Sequence, residues 1–174
     1  MTQEITIGLA TLHDLQQVAE VCNMLHAMEG GEEWEVGADK RRTLQHLWGL
    51  LQDQTGSVLV AKAGTKFLGC VVLEYNIVPR SHSVFVGGLF TDFNAPHKAA
   101  VYLMYAAALL CRKLKLTNVY MRSGIPKNQG RRTYEQMGFR DTEMMQGNTR
   151  LYLAKLRHIE AALEERLKYS GINR

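Results

Sequence analysis

The chain has 174 residues, a length that suits one domain, and 46% of them are hydrophobic, which is enough for a sizeable core. A net charge of +4 with interleaved acidic and basic residues argues against a nucleic-acid binder. No apolar run reaches the length of a membrane span and no charged-then-apolar pattern opens the chain, so we expect a cytoplasmic protein without membrane contact. Cys22, Cys70 and Cys111 lie far apart in apolar context, which favours reduced core thiols over a disulfide or metal set.

The first half of the chain predicts a strand, two helices and a strand hairpin. Apolar residues alternate over 4–10, as is typical of a strand. Thr11 looks like the N-cap of the helix that follows, with Asp14 in its first turn. The remaining elements of this half are a helix over 38–54 and two strands over 57–62 and 66–78, joined by a short glycine turn.

The second half is organised around a long apolar helix. Apolar residues recur at threes and fours over 95–116, which indicates a wide buried face, and Asn94 looks like the N-cap. The preceding strand, 83–91, contains Gly87 and Gly88, and glycines inside a strand indicate a bulge or a close backbone approach. Further elements expected are a strand at 119–121, a helix ended by Gly138, strands over 139–145 and 149–153, and a closing helix over 155–169.

The residues around Tyr134 direct the functional interpretation. In Tyr134-Glu135-Gln136-Met137-Gly138-Phe139, a tyrosine near the end of a helix precedes a Gly-Phe turn into a strand. This ending resembles that of the GNAT family, the acyl-CoA-dependent N-acetyltransferases, whose usual form is Tyr-Glu-x-x-Gly-Phe. The opening Ala10-Thr11-x-x-Asp14-Leu15 and the element order β-α-α-β-β-β-α-β-α-β-β over 4–154 resemble the same family.

The resemblance implies an α/β (α+β) GNAT fold, in which a central mixed sheet has splayed fourth and fifth strands and helices on both faces. Residues 1–154 would form the acetyltransferase domain and 155–174 a C-terminal helical extension. That helix, with Glu160 opposite its leucine stripe, would pack on the domain or pair with a second copy in a homodimer. The His26-x-Met28-Glu29 segment and the glycine-rich turn before Tyr134 also resemble small GNAT-type proteins of bacteriophages.

The resemblance further implies acetyl-CoA as cofactor, held between the splayed strands. The fourth strand, through Phe90 and Thr91, would pair with the pantetheine arm, and a bulge at Gly87 and Gly88 would point an N–H at the thioester oxygen. Relief of crowding or curvature of the strand is the alternative for the glycines. The pyrophosphate would lie on the N-terminus of the long helix, where free N–H groups and the helix dipole favour anions. The residues expected there are Pro96, His97, Lys98, Ala99, Ala100 and Val101.

This helix start departs from the family pattern Arg/Gln-x-x-Gly-x-Gly/Ala. Pro96 has no N–H to offer, and Ala99 and Val101 replace glycines that let phosphate oxygens approach closely. Lys98 and His97 could supply charge instead. An asparagine commonly precedes the family's tyrosine by seven residues; Lys127 holds that spacing here and Asn128 follows, so Asn128 is a further cofactor-binding candidate.

Two residues are expected to be catalytic. Tyr134 would protonate the departing thiolate, since the pKa of a phenol is within reach of that of a thiol, and a ring that only packs under the final hairpin is the alternative. Glu74 would be the base, because burial beside an apolar run would raise its pKa, unless it faces outward into solvent. Asp92 is a second candidate for the base.

The resemblance also implies an acceptor site between the first two helices, and the loop there is acidic. Its residues Glu29, Glu32, Glu33 and Trp34 would suit a cationic amine. A solvated charged loop is the alternative. The resemblance therefore implies acetyl transfer from acetyl-CoA to a primary amine, on a small cationic molecule or a protein lysine or N-terminus, by direct attack in a ternary complex. The alternative is a catalytically inactive GNAT-fold binding protein, which the altered helix start and the added C-terminal helix favour.

Overall fold

The computed structural model describes residues 4–29, 33, 36–75, 82–92, 94–96, 98–123, 129–147 and 149–169, without the side chains of 29, 123, 129–131, 146 and 169. In chain order the elements are β1 Ile5–Leu9, α1 Leu12–Glu29, α2 Lys40–Gln52, β2 Gly56–Ala63, β3 Lys66–Tyr75, β4 Ser83–Thr91, α3 Lys98–Lys113, β5 Asn118–Ser123, α4 Gln129–Gln136, β6 Arg140–Gln146, β7 Thr149–Lys155 and α5 Leu156–Tyr169. A 3₁₀ turn, Val36–Ala38, lies between α1 and α2. Within these ranges no helix is long and apolar enough to cross a membrane.

The strands form one mixed sheet in the order β1-β2-β3-β4-β5-β7-β6. Only β4 and β5 pair in parallel among the strands described, and α3 is the crossover that joins them. One core cluster lies between the sheet and α3 and α5, and a second, smaller one lies between the sheet and α1 and α2. The predicted fold class, with helices on both faces and adjacent fourth and fifth strands, is confirmed.

The start of α1 is fixed to the sheet through a buried carboxylate. The N–H and the hydroxyl of Thr11 each donate to Asp14 Oδ2 at 2.8 Å, and Lys62 Nζ of β2 lies 2.6 Å from Oδ1. Burial by itself would raise the pKa of Asp14, which is 3% exposed, but the Lys62 and Thr11 contacts outweigh it and the pKa is lowered. Thr11 therefore directly precedes α1, at the N-cap position, as predicted. The carboxylate of Asp14, in the first turn, accepts the Thr11 N–H.

We expect Asp14→Asn to lower the free energy of unfolding by about 2 kcal/mol at pH 7, because charge-assisted hydrogen bonds inside a folded protein contribute roughly that much. The folded-state pKa of Asp14 lies below its ordinary value, so this stabilisation is complete above that value and is lost as pH falls through the lowered pKa. Urea unfolding of both proteins between pH 7 and pH 2.5 measures it. The matched control is Glu20→Gln, which removes an exposed ion pair with Lys40 and should change little; an equal loss in the two variants would contradict the role given to Asp14.

Two details of the helices differ from the predictions. The helix α3 begins at Lys98, and the Asn94 N–H donates to Asp92 Oδ1 at 2.7 Å in a turn that precedes the helix. The prediction of Asn94 as N-cap is therefore wrong.

Glu160 was expected on the outer side of α5, but it is only 9% exposed and its Oε1 lies 2.7 Å from Arg112 Nε of α3. Leu156, Ile159 and Leu163 are buried in the larger core cluster, so α5 packs on α3.

Candidate active site

A gap opens between β4 and β5 because their parallel pairing stops before either strand ends. The paired residues run from Ser83 with Asn118 to Val86 with Met121. Beyond that level β4 continues to Thr91 on β3, and β5 continues to Ser123 on β7. Past Val86 and Met121, the backbones of β4 and β5 are therefore not paired with each other. The predicted splaying of the fourth and fifth strands is confirmed.

A β-bulge lies at the level where the strands part. The β3–β4 register shifts between Val72, which faces Gly88, and Leu73, which faces Val86, so Gly87 is the extra residue. A Cβ atom on Gly87 would lie 2.6 Å from Glu74 Oε1, and one on Gly88 would lie 3.9 Å from Cys22 Sγ. Both glycines therefore face the side of the sheet covered by α1 and α2. The predicted bulge is confirmed, and the Glu74 carboxylate lies against the position that a Cβ on Gly87 would take.

Glu74 stands on β3 directly beside this bulge. Its side chain is 22% exposed, and His46 Nε2, from α2, lies 3.3 Å from its Oε1. The pair with Glu74 raises the pKa of His46 above its ordinary value of 6.5, although burial of the imidazole opposes the shift. Glu74 is thus a half-buried, paired carboxylate and not a fully solvated one.

The thiol of Cys22, on α1, completes this side of the site. Burial, with a smaller contribution from the negative charge of Glu74, raises its pKa to about 11. A thiol with such a pKa is almost entirely protonated near neutral pH, and the thiolate is the nucleophilic form. Cys22 is therefore poorly suited to carry an acyl group.

Tyr134 lies on α4 at the same level of the sheet but on the opposite face. The residue is 8% exposed, and its ring centroid lies 5.3 Å from that of Tyr152 and 6.5 Å from that of Phe139. Tyr152 is the register partner of Met121, the last β5 residue paired with β4. The tyrosine is therefore held against the sheet close to where the gap begins, with its ring under the final hairpin.

The start of α3 lies at the far end of β4. Pro96 and Lys98 are exposed, whereas Ala100 and Val101 are half-buried against the larger core cluster. The side chain of Ala99 is fully buried, and its N–H donates to the Pro96 carbonyl at 2.8 Å. The side chain of Ala99 is therefore packed in the core, and its N–H is already bonded to a carbonyl. Ala99 has no N–H left to donate to a bound anion. His97 lies outside the described residues, and so does Asn128.

The other predicted residues fall partly outside the described parts of the chain. Phe90 and Thr91 are half-buried at the end of β4, and Phe90 packs on the smaller core cluster. Asp92 accepts the Asn94 N–H and so stabilises a turn, which weakens its candidacy as a base. Glu33 is exposed, and Arg42 donates to its carbonyl at 3.1 Å. Glu32 and Trp34 lie outside the described residues, and Glu29 is described without its side chain.

One residue at this site, His46, was not among those predicted from the sequence. It sits between buried Leu47 and exposed Gln45 on an amphipathic helix, in a pattern that predicts only which face meets the core. Its contact with Glu74 depends on how α2 lies across the sheet, which no spacing in the chain encodes.

Comparison with solved structures shows that the chain has the fold of the GNAT-family acetyltransferases. The PaiA N-acetyltransferase of Thermoplasma acidophilum, solved with coenzyme A, matches 87% of this chain and 99% of its own at 18% identity, with a TM-score of 0.68. The spermidine N-acetyltransferase of Vibrio cholerae, solved with CoA and spermine, matches 91% of this chain and 99% of its own at 16% identity, with a TM-score of 0.68. An acetyltransferase of the GNAT family from Staphylococcus aureus Mu50 matches 88% and 99% at 13% identity, with a TM-score of 0.70.

At such identities the likeness establishes the fold. Comparison with protein-family models gave no match, and comparison with the sequences of curated proteins gave none either.

Proposed function

We propose that the protein is an N-acetyltransferase that transfers the acetyl group of acetyl-CoA to a primary amine by direct attack in a ternary complex. The observation that carries the proposal is the gap between β4 and β5, with the Gly87 bulge at its closed end. Strand edges that lack a ladder partner need other hydrogen-bonding groups, and the amides of a pantetheine arm match the backbone of β4. Two solved proteins of this fold carry CoA in their crystals, which supports the same ligand class here.

The residues that would hold acetyl-CoA are those along the gap and at the start of α3. The backbone of β4 from Gly88 to Thr91 would pair with the pantetheine amides, and the first-turn N–H groups of α3 other than that of Ala99 would meet the pyrophosphate. Lys98 is exposed at this helix end and adds a positive charge. When bound, acetyl-CoA supplies the activated acetyl group as a thioester.

Three side-chain or backbone groups of this chain would act on the reacting atoms. The Gly87–Gly88 bulge would direct an N–H at the carbonyl oxygen, where negative charge develops. Glu74, beside the bulge on the α1 and α2 side, would accept the proton of the incoming amine. Tyr134, on the α4 side, would donate a proton to the thiolate. The raised pKa of Cys22 favours direct transfer over an acyl-cysteine intermediate.

The acceptor class we propose is a cationic amine, approaching from the side covered by α1 and α2. Glu74 already presents a carboxylate there. Glu29 is the last residue of α1, and Glu32, Glu33 and Trp34 follow it in the sequence. Carboxylates and an indole attract ammonium groups. The Vibrio cholerae protein of the same fold was solved in complex with spermine, which is a cationic amine.

Calorimetric titration of the full chain with acetyl-CoA tests the proposal, followed by thiol release with spermine, an aminoglycoside and a lysine peptide as acceptors. We expect acetyl-CoA to bind with a dissociation constant of about 1 μM to 1 mM, in the ordinary range of enzyme substrates. Absence of binding at millimolar acetyl-CoA would reject it. The function would then be the second candidate, an inactive binding protein, which the engaged Ala99 N–H and the proline before α3 favour.

A further inference from the structure

We propose that His46 and Glu74 form a proton relay that leads from the acceptor amine to solvent, with Glu74 as the first proton acceptor and His46 as the second. The inference rests on the proposed function and adds a residue to its mechanism. His46 acts through Glu74 and is therefore a positioning residue, which holds the carboxylate in place and takes up its proton.

The geometry forms a line from the gap to the surface. Glu74 Oε1 lies 2.6 Å from the position of a Cβ on Gly87, so the carboxylate rests on the bulge. The same oxygen lies 3.3 Å from His46 Nε2, within reach for a hydrogen bond. The His46 side chain is 34% exposed and that of Glu74 is 22% exposed, so the imidazole is the more solvent-accessible end of the pair. A proton that reaches Glu74 from the gap thus has a short path outward.

Among the described residues, Glu74 is the charged group that raises the pKa of His46. From α1, Cys22 faces the pair as a neutral thiol, and His26 is turned toward Gly37. On α2 itself, Arg42 lies one turn earlier and donates to the Glu33 carbonyl.

Among the described residues of the neighbouring strands, Tyr120 is a phenol and Arg122 is a cation. On β4 and β5 the residues beside Glu74 are its register partner Phe85 and then Tyr120, and the Arg122 guanidinium lies over the Phe85 ring at 5.2 Å. The direction of the shift in His46 is set by its contact with Glu74, which raises its pKa, against burial, which lowers it.

The proton balance is simple. An N–H bond of the acceptor amine breaks and an O–H bond forms on Glu74; that O–H bond then breaks as an N–H bond forms at His46 Nε2. His46 finally releases the proton to water. Only neutral His46 can accept, so the relay operates above the raised pKa of the imidazole and stops as pH falls through it.

Two measurements on the full chain test the relay. The first follows the imidazole resonances of His46 by NMR between pH 5 and pH 9. We expect the His46 pKa to lie above 6.5 in the native protein and to move down in Glu74→Gln, because the partner charge is gone and burial remains.

The second measurement is the pH profile of kcat/KM. His46→Gln should lose the rising limb at low pH and fall about a hundredfold, within the usual range for proton transfer. His13→Gln, an exposed histidine on α1, is the matched control and should match the native profile.

The outcomes separate the relay from the proposed function. An active native protein whose low-pH limb survives in His46→Gln overturns the relay alone. A His46 pKa that does not move in Glu74→Gln overturns the pairing, whatever the activity. A native protein that acetylates no amine while its His46 still responds to Glu74 overturns the proposed function, and the relay falls with it.

A second variant displaces the carboxylate without removing it. The methyl group of Gly87→Ala would meet Glu74 Oε1 at 2.6 Å, and the end of a flexible side chain can move away at little cost to the fold. We expect the His46 pKa to fall as in Glu74→Gln and kcat/KM to fall with it. The matched control is Gly49→Ala on α2, where an added Cβ meets nothing within 4 Å. That control should keep native activity; a native His46 titration in Gly87→Ala would contradict the relay.

Discussion

Tyr134→Phe is expected to lower kcat by about 10²- to 10⁴-fold, the range by which general acid catalysis usually contributes, while the fold is retained. The variant removes one oxygen atom and leaves the ring that packs on Tyr152 and Phe139. The thiolate of the leaving group would then depart without a proton donor. Thiol release at saturating acetyl-CoA and spermine measures kcat, and calorimetry should find acetyl-CoA binding unchanged, since the phenol acts on the leaving group and not on the phosphates.

The matched control is Tyr152→Phe, because this tyrosine is also buried, lies in ring contact with Tyr134 and loses the same atom. We expect its kcat to stay within a few-fold of native. A comparable fall in both variants would mean that packing of the aromatic cluster, and not the acid, sets the rate. Full activity in Tyr134→Phe would remove the tyrosine from the mechanism and leave its ring a purely structural role under the hairpin.

Features with a local cause were predictable from the sequence. The Gly87-Gly88 pair interrupts an otherwise regular strand, and a bulge is the local conformation that such a pair favours. The tyrosine-to-Gly138 turn is likewise local, because a glycine after a helix adopts the positive φ that ends it. Pattern and turn chemistry point to the same element order here, which is why the fold could be predicted.

Features that depend on packing between distant elements were not predictable. His46 and Glu74 meet because α2 packs on the face of the sheet to which Glu74 belongs, and the helical pattern defines a buried face but not a partner. Glu160 lies opposite the leucine stripe, where a solvent-facing residue is expected. In the structure its side chain is mostly buried and pairs with the exposed Arg112 of α3. Both contacts join elements far apart in the chain.

The start of α3 was mispredicted because two polar residues competed for the same role. Asp92 and Asn94 are both good capping residues, and the sequence does not say which N–H each one meets. In the structure the Asp92 carboxylate accepts the N–H of Asn94, which makes an Asx turn and leaves the helix to begin after Pro96. The proline restricts the residue before it to extended conformations, which also disfavours a helix beginning at Asn94.

Gly138→Ala is expected to destabilise the protein by about 4 kcal/mol, which is the largest effect on stability that we predict. The residue has φ of +92°, where a side chain is strained, and this costs roughly 1–3 kcal/mol. A Cβ there would also lie 2.7 Å from the carbonyl oxygen of His158 and 3.1 Å from the Ile159 N atom. These are backbone atoms at the start of α5, which cannot rotate away, so overpacking adds roughly 1–3 kcal/mol.

Gly147→Ala separates the two contributions, because Gly147 has φ of +59° but an added Cβ there meets nothing within 4 Å. Urea unfolding of both variants should show the Gly138 loss exceeding the Gly147 loss by about the overpacking contribution. Equal losses would mean that α5 can shift away from the turn without penalty. If instead the difference is found, then α5 presses on the turn that follows Tyr134, and kcat of Gly138→Ala should fall as well, because the displaced turn carries the tyrosine with it.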